Sequence, residues 1–219
     1  MIVMEPRAAY RLWAPTYSEE TAISHLDEEL AAKLSPPPVG KRLLDAGCGT
    51  GRRLTTSSAV LALGIDLSFE MLSNGRERAV AVADLRELPF PAQAFDLVWC
   101  RLVLGHLQHP QPAYYELARV CRIGGYIFVS DFHADAATRG HSRSFRDRSG
   151  REWAVEHHIH DSDRHKSMAL EAGLSQRAQQ DGLIGASVKS FYEHAGREPA
   201  FERDRGLRVV AAFLFERTR

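Results

Sequence analysis

Three glycines and two aspartates supply the first chemistry that the sequence offers. In Lys41-Arg-Leu-Leu-Asp-Ala-Gly-Cys-Gly-Thr-Gly51, an apolar strand through Leu43 and Leu44 runs into a turn holding Gly47, Gly49 and Gly51. Glycine there meets two needs, a positive φ and close approach of backbone to a ligand. Such a turn between a strand and a helix is a cradle for a nucleotide-type ligand, although any tight strand-to-helix turn also favours glycine. Asp45 puts a carboxylate at the end of the first strand. Asp66 closes a second apolar run, Val60-Leu-Ala-Leu-Gly-Ile-Asp66. An acid about 20 residues past the glycine turn is the expected partner of ribose hydroxyls. Proton transfer is the second chemistry on offer. The chain has ten histidines, concentrated between positions 106 and 165, and imidazole titrates in the range that a general base needs. His106, His157 and His133 are the candidates, in that order. The plain alternative for His106 is a helix-end imidazole satisfied by backbone. His157, His158, His160 and Asp161 are also metal-ligand types, but adjacent His157 and His158 point apart and no second ligand cluster accompanies them, so no metal is expected.

The elements that must position these residues follow from periodicity and punctuation. Apolar Ile23, Leu26, Leu30 and Leu34 recur at helical spacing behind a cap at Ser18, and Ser35-Pro-Pro-Pro-Val-Gly40 ends that helix. Helices are predicted over 50–58 and 69–78, the latter capped by Ser68. Strands are predicted over 79–83 and 95–100. Phe95-Asp-Leu-Val-Trp-Cys100 is almost continuously apolar, as a strand covered on both faces would be. A helix over 112–121 and a strand over 126–131 follow. Ser144 to Ile159 reads as a hairpin turning at Ser149-Gly150. Alternation puts Trp153, Val155, His157 and Ile159 on one of its faces, and Glu156, His158 and His160 on the other. A helix from an Asp161 cap to Gly173, a strand within 174–184, a helix over 187–196 and a last strand over 207–215 complete the chain.

Leu43-Leu-Asp-Ala-Gly-Cys-Gly-Thr-Gly51 resembles the first motif of the class I S-adenosylmethionine-dependent methyltransferases, and Gly64-Ile-Asp-Leu-Ser68 resembles their second. The resemblance is to the small-molecule, type 11-like branch and covers residues 8–132 well. It implies an α/β fold: a Rossmann-like seven-stranded, mostly parallel sheet with an antiparallel last strand and helices on both faces. The N-terminal helical cap (1–38) and the hairpin after strand five would stand beside a cofactor-binding half (39–132) within one domain spanning 1–219. It further implies that Asp45, Gly47, Cys48, Gly49 and Gly51 hold the cofactor from below, and that Asp66 and Leu67 meet its ribose. Asp84 would accept from the adenine amine, with Leu85 and Met71 against the ring and Cys100 at the strand end nearest the reaction. An exposed loop role for Asp84 and a core role for Met71 stay open. Tyr10-Arg-Leu-Trp13-Ala-Pro-Thr-Tyr17 resembles the family's N-terminal lid, which gives Tyr10, and secondarily Tyr17, a place over the cofactor's methionine end; a helix simply packed on the domain is the alternative. Arg119-Val-Cys-Arg-Ile-Gly-Gly125 resembles a further family turn, with isoleucine where proline is usual.

Composition narrows the partners. The 219 residues are 44% hydrophobic with zero formal net charge, enough for a well-cored domain and with no global field for nucleic acid. No apolar run reaches membrane-spanning length. Three cysteines, Cys48, Cys100 and Cys121, do not make a disulfide framework, which points to the cytoplasm. The expected activity is transfer of a methyl group from S-adenosylmethionine to oxygen, nitrogen or carbon of a small molecule. A cofactor-binding partner module without catalysis is the alternative. Arg143, Arg146, Arg148 and Arg151 form a local basic patch, either a solvated hairpin face or a surface for an acidic substrate or carrier protein. Monomer and homodimer both remain open.

Overall fold

Alternation of side chains decides how the central strands are covered. In a computed structural model that describes residues 2–17, 20–75 and 79–219, Leu43 and Leu44 lie in the same strand and point into different cores. Leu44, Ile65, Val98, Ile127 and Val129 pack under Tyr114 and Leu117 on one face. Leu43, Leu97, Trp99 and Phe128 pack under Leu26 and Leu30 on the other. A strand buried on both faces must be apolar at nearly every position, and the Leu97–Cys100 stretch of the strand over 95–101 is.

The chain opens with strand β1 (Ile2–Met4) and helices α1 (Pro6–Trp13) and α2 (Ala22–Leu34). It continues through β2 (Arg42–Ala46), α3 (Arg52–Thr55), β3 (Leu61–Asp66), α4 (Phe69–Ser73), β4 (Val80–Val82) and β5 (Phe95–Arg101). Helix α5 (Gln111–Val120), β6 (Cys121–Phe132), α6 (Ala134–Thr138) and the hairpin β7 (Ser144–Arg146) and β8 (Glu152–Val155) follow. Helix α7 (Ser162–Glu171), β9 (Leu174–Leu183), α8 (Lys189–His194), α9 (Glu198–Asp204) and β10 (Arg208–Arg217) end it. The large sheet has the order β4-β3-β2-β5-β6-β10-β9. The pairings from β4 through β6 are parallel, and β10 runs antiparallel to both its neighbours. The chain leaves β2 toward β3 on one side and later returns to β5 on the other. The carboxyl ends of β2 and β5 therefore flank a crevice, where ligands of open α/β sheets sit.

The seven-stranded sheet, its antiparallel last strand and the hairpin after the sheet's fifth strand match the sequence expectation. Several boundaries differ. The expected Ser18 cap lies outside the described residues; the side chain of Thr21 accepts from Ser24 N and Ser24 reciprocates, a capping box for α2. The helix predicted to Arg78 is described only to Ser73, and Arg78 is likewise outside the described residues. Strand β1 was not anticipated. It pairs in parallel with β8 and turns the hairpin into a three-stranded sheet. The face alternation predicted through Ile159 fails because β8 ends at Val155. Beyond it, backbone bonds from Glu156 N to Met4 O and from His158 N to Gly105 O (both 2.7 Å) redirect the chain. His160 is buried as a result, and Ile159 is 40% exposed.

Candidate active site

The glycine turn is built from backbone. Gly47 N and Cys48 N both donate to Ile65 O, at 2.7 and 2.9 Å, which ties the turn to the neighbouring strand tip. Gly47 has φ +83°, and a Cβ on it would lie 2.3 Å from Val103 Cγ2. Only glycine satisfies both constraints. Gly49, at φ +58°, faces Met71 Cε and the Tyr17 ring.

The two strand-end aspartates have different surroundings. Asp66 Oδ2 accepts from Gly49 N and Oδ1 from Ser68 N, both at 2.8 Å, and its carboxylate borders the cavity. Burial raises its pKa against those backbone bonds. Each oxygen keeps a lone pair for an incoming hydroxyl. Asp45 is fully buried behind the turn and, among the described residues, accepts no hydrogen bond. Its nearest cation is Arg53, 3.9 Å away, and burial pushes its carboxyl above the usual range. Asp45 belongs to a buried ionic group. Arg101 Nε donates to Asp27 Oδ2 at 3.0 Å, and its Nη2 lies 2.9 Å from Glu28 Oε2. Arg53 reaches Asp27 and Glu28 at 3.3 and 3.1 Å, while Ser130 Oγ donates to Asp27 Oδ1. Burial alone would raise the Asp27 carboxyl; Arg101 and Arg53 outweigh it and hold it below the ordinary value.

Above the turn lies a cavity of about 950 Å³, large enough for a nucleoside cofactor and a second small molecule together. Helix α1, the 3-10 turn that follows it and the β7–β8 hairpin wall its outer side. Three rings are linked there, Tyr10 stacked on Trp13 at 5.6 Å and Trp13 stacked on Phe145 at 4.9 Å. Tyr10 Oη and His106 Nε2 are 2.9 Å apart, and His106 Nδ1 lies 3.4 Å from Glu156 O. A carbonyl only accepts, so the proton belongs on Nδ1, and Nε2 accepts from the Tyr10 hydroxyl. Burial, with Arg143 and His157 adding to it, holds His106 well below the usual imidazole pKa. Burial pushes the Tyr10 phenol well above its own.

The cavity brings together eleven of the residues proposed from the sequence to hold the cofactor or act as base: Tyr10, Tyr17, Gly47, Cys48, Gly49, Asp66, Leu67, Met71, Asp84, Leu85 and His106. Asp84 is already engaged, since Arg86 binds it through Nε at 3.0 Å and Nη2 at 2.6 Å. Asp45, Gly51, Cys100, His157 and His133 do not line the cavity. Cys100 is fully buried in β5, and burial pushes its thiol up, as it does that of Cys48. His133 caps α6 by accepting from Asp135 N at 3.0 Å. His157 lies one layer behind His106, ring centroids 5.6 Å apart, and 3.8 Å from buried Asp131. It covers Gly105, where a Cβ would meet its ring at 2.0 Å. Burial lowers its pKa to about 4. Among the described residues no group of three or more ligand-type side chains is arranged to hold a metal.

Sequence reasoning missed two parts of the site. The buried acid Asp27 was legible in part, because it stands four residues after Ile23 on the helix's apolar stripe. Arg143 was read only as part of a basic patch, yet its side chain enters the cavity wall.

The turn, the ribose-height carboxylate and the room above them fit an S-adenosyl nucleoside, and comparison with known proteins agrees. Residues 44–129 match the family model described as "Methyltransferase domain". The chain is 30% identical over 213 residues to 27-O-demethylrifamycin SV methyltransferase of Amycolatopsis mediterranei, covering 91% of this chain and 76% of that protein. It is 40% identical over 122 residues to a malonyl-[acyl-carrier protein] O-methyltransferase of Herminiimonas arsenicoxydans, covering 50% of this chain and 45% of the relative. Its fold superposes on an S-adenosylmethionine-dependent methyltransferase from Mesorhizobium loti with a TM-score of 0.66 at 22% identity, over 87% of this chain and 96% of that one. The chain belongs to the class I S-adenosylmethionine-dependent methyltransferases, and S-adenosylmethionine is its cofactor.

Proposed function

We propose that this enzyme methylates an oxygen of a small molecule held between the glycine turn and the wall made by α1 and the hairpin. The observation that carries the reading is the Tyr10–His106 pair, 2.9 Å apart at the cavity's edge. The names of the Amycolatopsis and Herminiimonas relatives both specify O-methylation, which supports an oxygen acceptor over nitrogen or carbon. The acceptor is a small molecule in this reading. The three cysteines are free and buried, in keeping with a reducing compartment.

When bound, S-adenosylmethionine supplies a methyl group on a cationic sulfonium. The chain's residues hold it and manage the acceptor's proton. The turn from Gly47 to Gly49 approaches the amino-acid end with backbone. Asp66 takes the ribose hydroxyls on its spare lone pairs, beside Leu67. Met71 and Leu85 flank the adenine, and Asp84 accepts its amine after sharing or releasing Arg86. Tyr17 closes over the turn. Asp45, Gly51 and Cys100 shape this floor from behind. Holding two reactants in line contributes roughly 7–11 kcal/mol toward the barrier, so rigidity of the floor is itself catalytic.

His106 is the base in this reading. Its lowered pKa keeps it neutral at pH 7, with Nδ1–H on Glu156 O and a lone pair on Nε2. The Tyr10 hydroxyl occupies that lone pair, so the acceptor's proton passes to the Tyr10 oxygen as Tyr10 gives its own to Nε2. The raised Tyr10 pKa keeps it a phenol between turnovers. His157 and His133 take no proton from the acceptor; His157 backs His106. The test is turnover of His106→Gln with labelled cofactor across a panel of hydroxylated acceptors. A fall of about 100-fold with unchanged S-adenosylhomocysteine affinity is expected, and undiminished turnover would remove His106 as the base.

A further inference from the structure

Six arginines besides Arg143 line the cavity, and five of them are answered by carboxylates. Arg52, Arg53 and Arg101 lie within 4.0 Å of Glu28, Arg86 of Asp84 and Arg146 of Glu152. Arg7 lines the rim and is exposed. Arg143 differs from all of them. It is half-buried in the wall, and among the described residues no carboxylate comes within 4.0 Å of its guanidinium. Its Nη1 donates to Leu102 O at 2.8 Å, its Cζ lies 5.9 Å from the centre of the Tyr10 ring, and the Tyr10 and Tyr17 hydroxyls flank it. A guanidinium has five donors in a planar fork; the Leu102 carbonyl takes one of them, and Arg143 lines the cavity. A half-buried cation with no carboxylate in contact, its nearest charged influence being the more distant Asp131, gains from a close counter-charge. The arrangement is a half-site whose missing half is an anion with at least two oxygens, which a guanidinium binds in bidentate fashion.

The direction of the hydrogen bonds sharpens the point. The guanidinium can donate to Tyr10 Oη, Tyr10 donates to His106 Nε2, and His106 donates to Glu156 O. Arg143 is thereby joined to the pair proposed to take the acceptor's proton, and a group bound to its free edge would sit beside the reacting oxygen. Tyr10, Trp13, Tyr17 and Phe145 supply apolar surface around it.

We infer that Arg143 forms an oxyanion subsite that anchors a carboxylate or phosphate of a molecule bound in the cavity. This rests on the methyl-transfer reading of the same cavity. The anion belongs either to an acceptor with an apolar body or to the cofactor's own amino-acid end, and the two sources are separable.

Wild type, Arg143→Gln and Arg143→Lys are titrated calorimetrically with S-adenosylhomocysteine and with 5′-methylthioadenosine, which lacks the amino-acid end. Each protein saturated with S-adenosylhomocysteine is then titrated with benzoate, phenyl phosphate and neutral benzamide. Loss of a charge-assisted bond weakens binding by about 10- to 100-fold. An acceptor-side anion predicts that benzoate or phenyl phosphate binds wild type, that benzamide does not, and that Arg143→Gln loses the binding while its affinity for S-adenosylhomocysteine is unchanged. A cofactor-side anion predicts that Arg143→Gln weakens S-adenosylhomocysteine and leaves 5′-methylthioadenosine alone. Arg143→Lys keeps part of either effect and serves if the glutamine variant does not fold. Equal behaviour of wild type and both variants in every titration overturns the subsite. Failure of wild type to bind S-adenosylhomocysteine at all would instead overturn the reading of the cavity.

Discussion

Two charged regions flank the cavity, and they are wired in opposite ways. Below the glycine turn, Asp27, Glu28, Asp45, Arg53 and Arg101 form a group in which each cation lies within 4.0 Å of a carboxylate. In the outer wall, Arg143 ends a chain of neutral donors and acceptors, and among the described residues no carboxylate lies within 4.0 Å of its guanidinium. In the lower group protein carboxylates already answer both arginines, so its work is to fix the ends of β2 and β5 against α2. The wall has an open valence, so its work is recognition. Charge alone does not mark a binding residue; the informative property is whether protein already answers that charge.

This contrast can be broken most sharply at Asp27. Asp27→Ala leaves Arg101 and Arg53 short of a counter-charge in a dry site, and unfolding stability should fall by about 3–5 kcal/mol, read by denaturant melts. Arg143→Gln should stay within about 1 kcal/mol of wild type. If the two losses were equal, the division into scaffold and recognition would be wrong.

The second prediction concerns pH. The His157 pKa falls from 6.5 to about 4 on folding, so between those values the unfolded chain binds more protons than the folded one. Stability is therefore full above pH 6.5 and drops by up to about 3 kcal/mol as the pH falls to 4. His106 adds in the same direction. His157→Asn should flatten the stability profile over that window, and an unaltered slope would contradict the burial argument.

Smaller effects follow on the ligand side. Tyr10→Phe removes the hydroxyl from His106 Nε2 and should lower turnover by about 100-fold, with S-adenosylhomocysteine affinity held. Asp66→Asn keeps the shape while losing the charge and should weaken S-adenosylhomocysteine about tenfold. Asp45→Asn, its buried neighbour, should change ligand affinity less than Asp66→Asn does; the reverse order would exchange the roles given to the two acids.

Much of the cofactor half was legible because local rules and global fold agree there. The strand through Leu43 and Leu44, the glycine turn, Asp66 and the Ser68 cap each follow from neighbours in sequence, and Ser68 Oγ does accept from Met71 N at 3.3 Å. The wall was less legible because long-range pairing makes it. Nothing within Ile2–Met4 announces a parallel partner at Trp153–Val155, and without that partner the course of the chain past Val155 cannot be read. The alternation that put His157 on the hairpin's inward face ends at Val155, and the ring packs behind His106 instead of lining the cavity. Tyr10 and His106 are 96 residues apart, and no spacing rule joins them. Asp45 shows the converse limit: its position at a strand tip suggested contact with a ligand, whereas burial turns it toward Arg53.

Gly105 and His157 have a consequence for how this sequence can vary. The imidazole fills the space in front of the glycine so closely that no side chain fits at 105 while the ring stays. The two positions should accordingly change together in descendants of this gene, a bulkier residue at 105 appearing only with a smaller one at 157. Because that ring stands behind His106, such an exchange would also loosen the support of the proposed base, so lineages that keep the same chemistry should keep both.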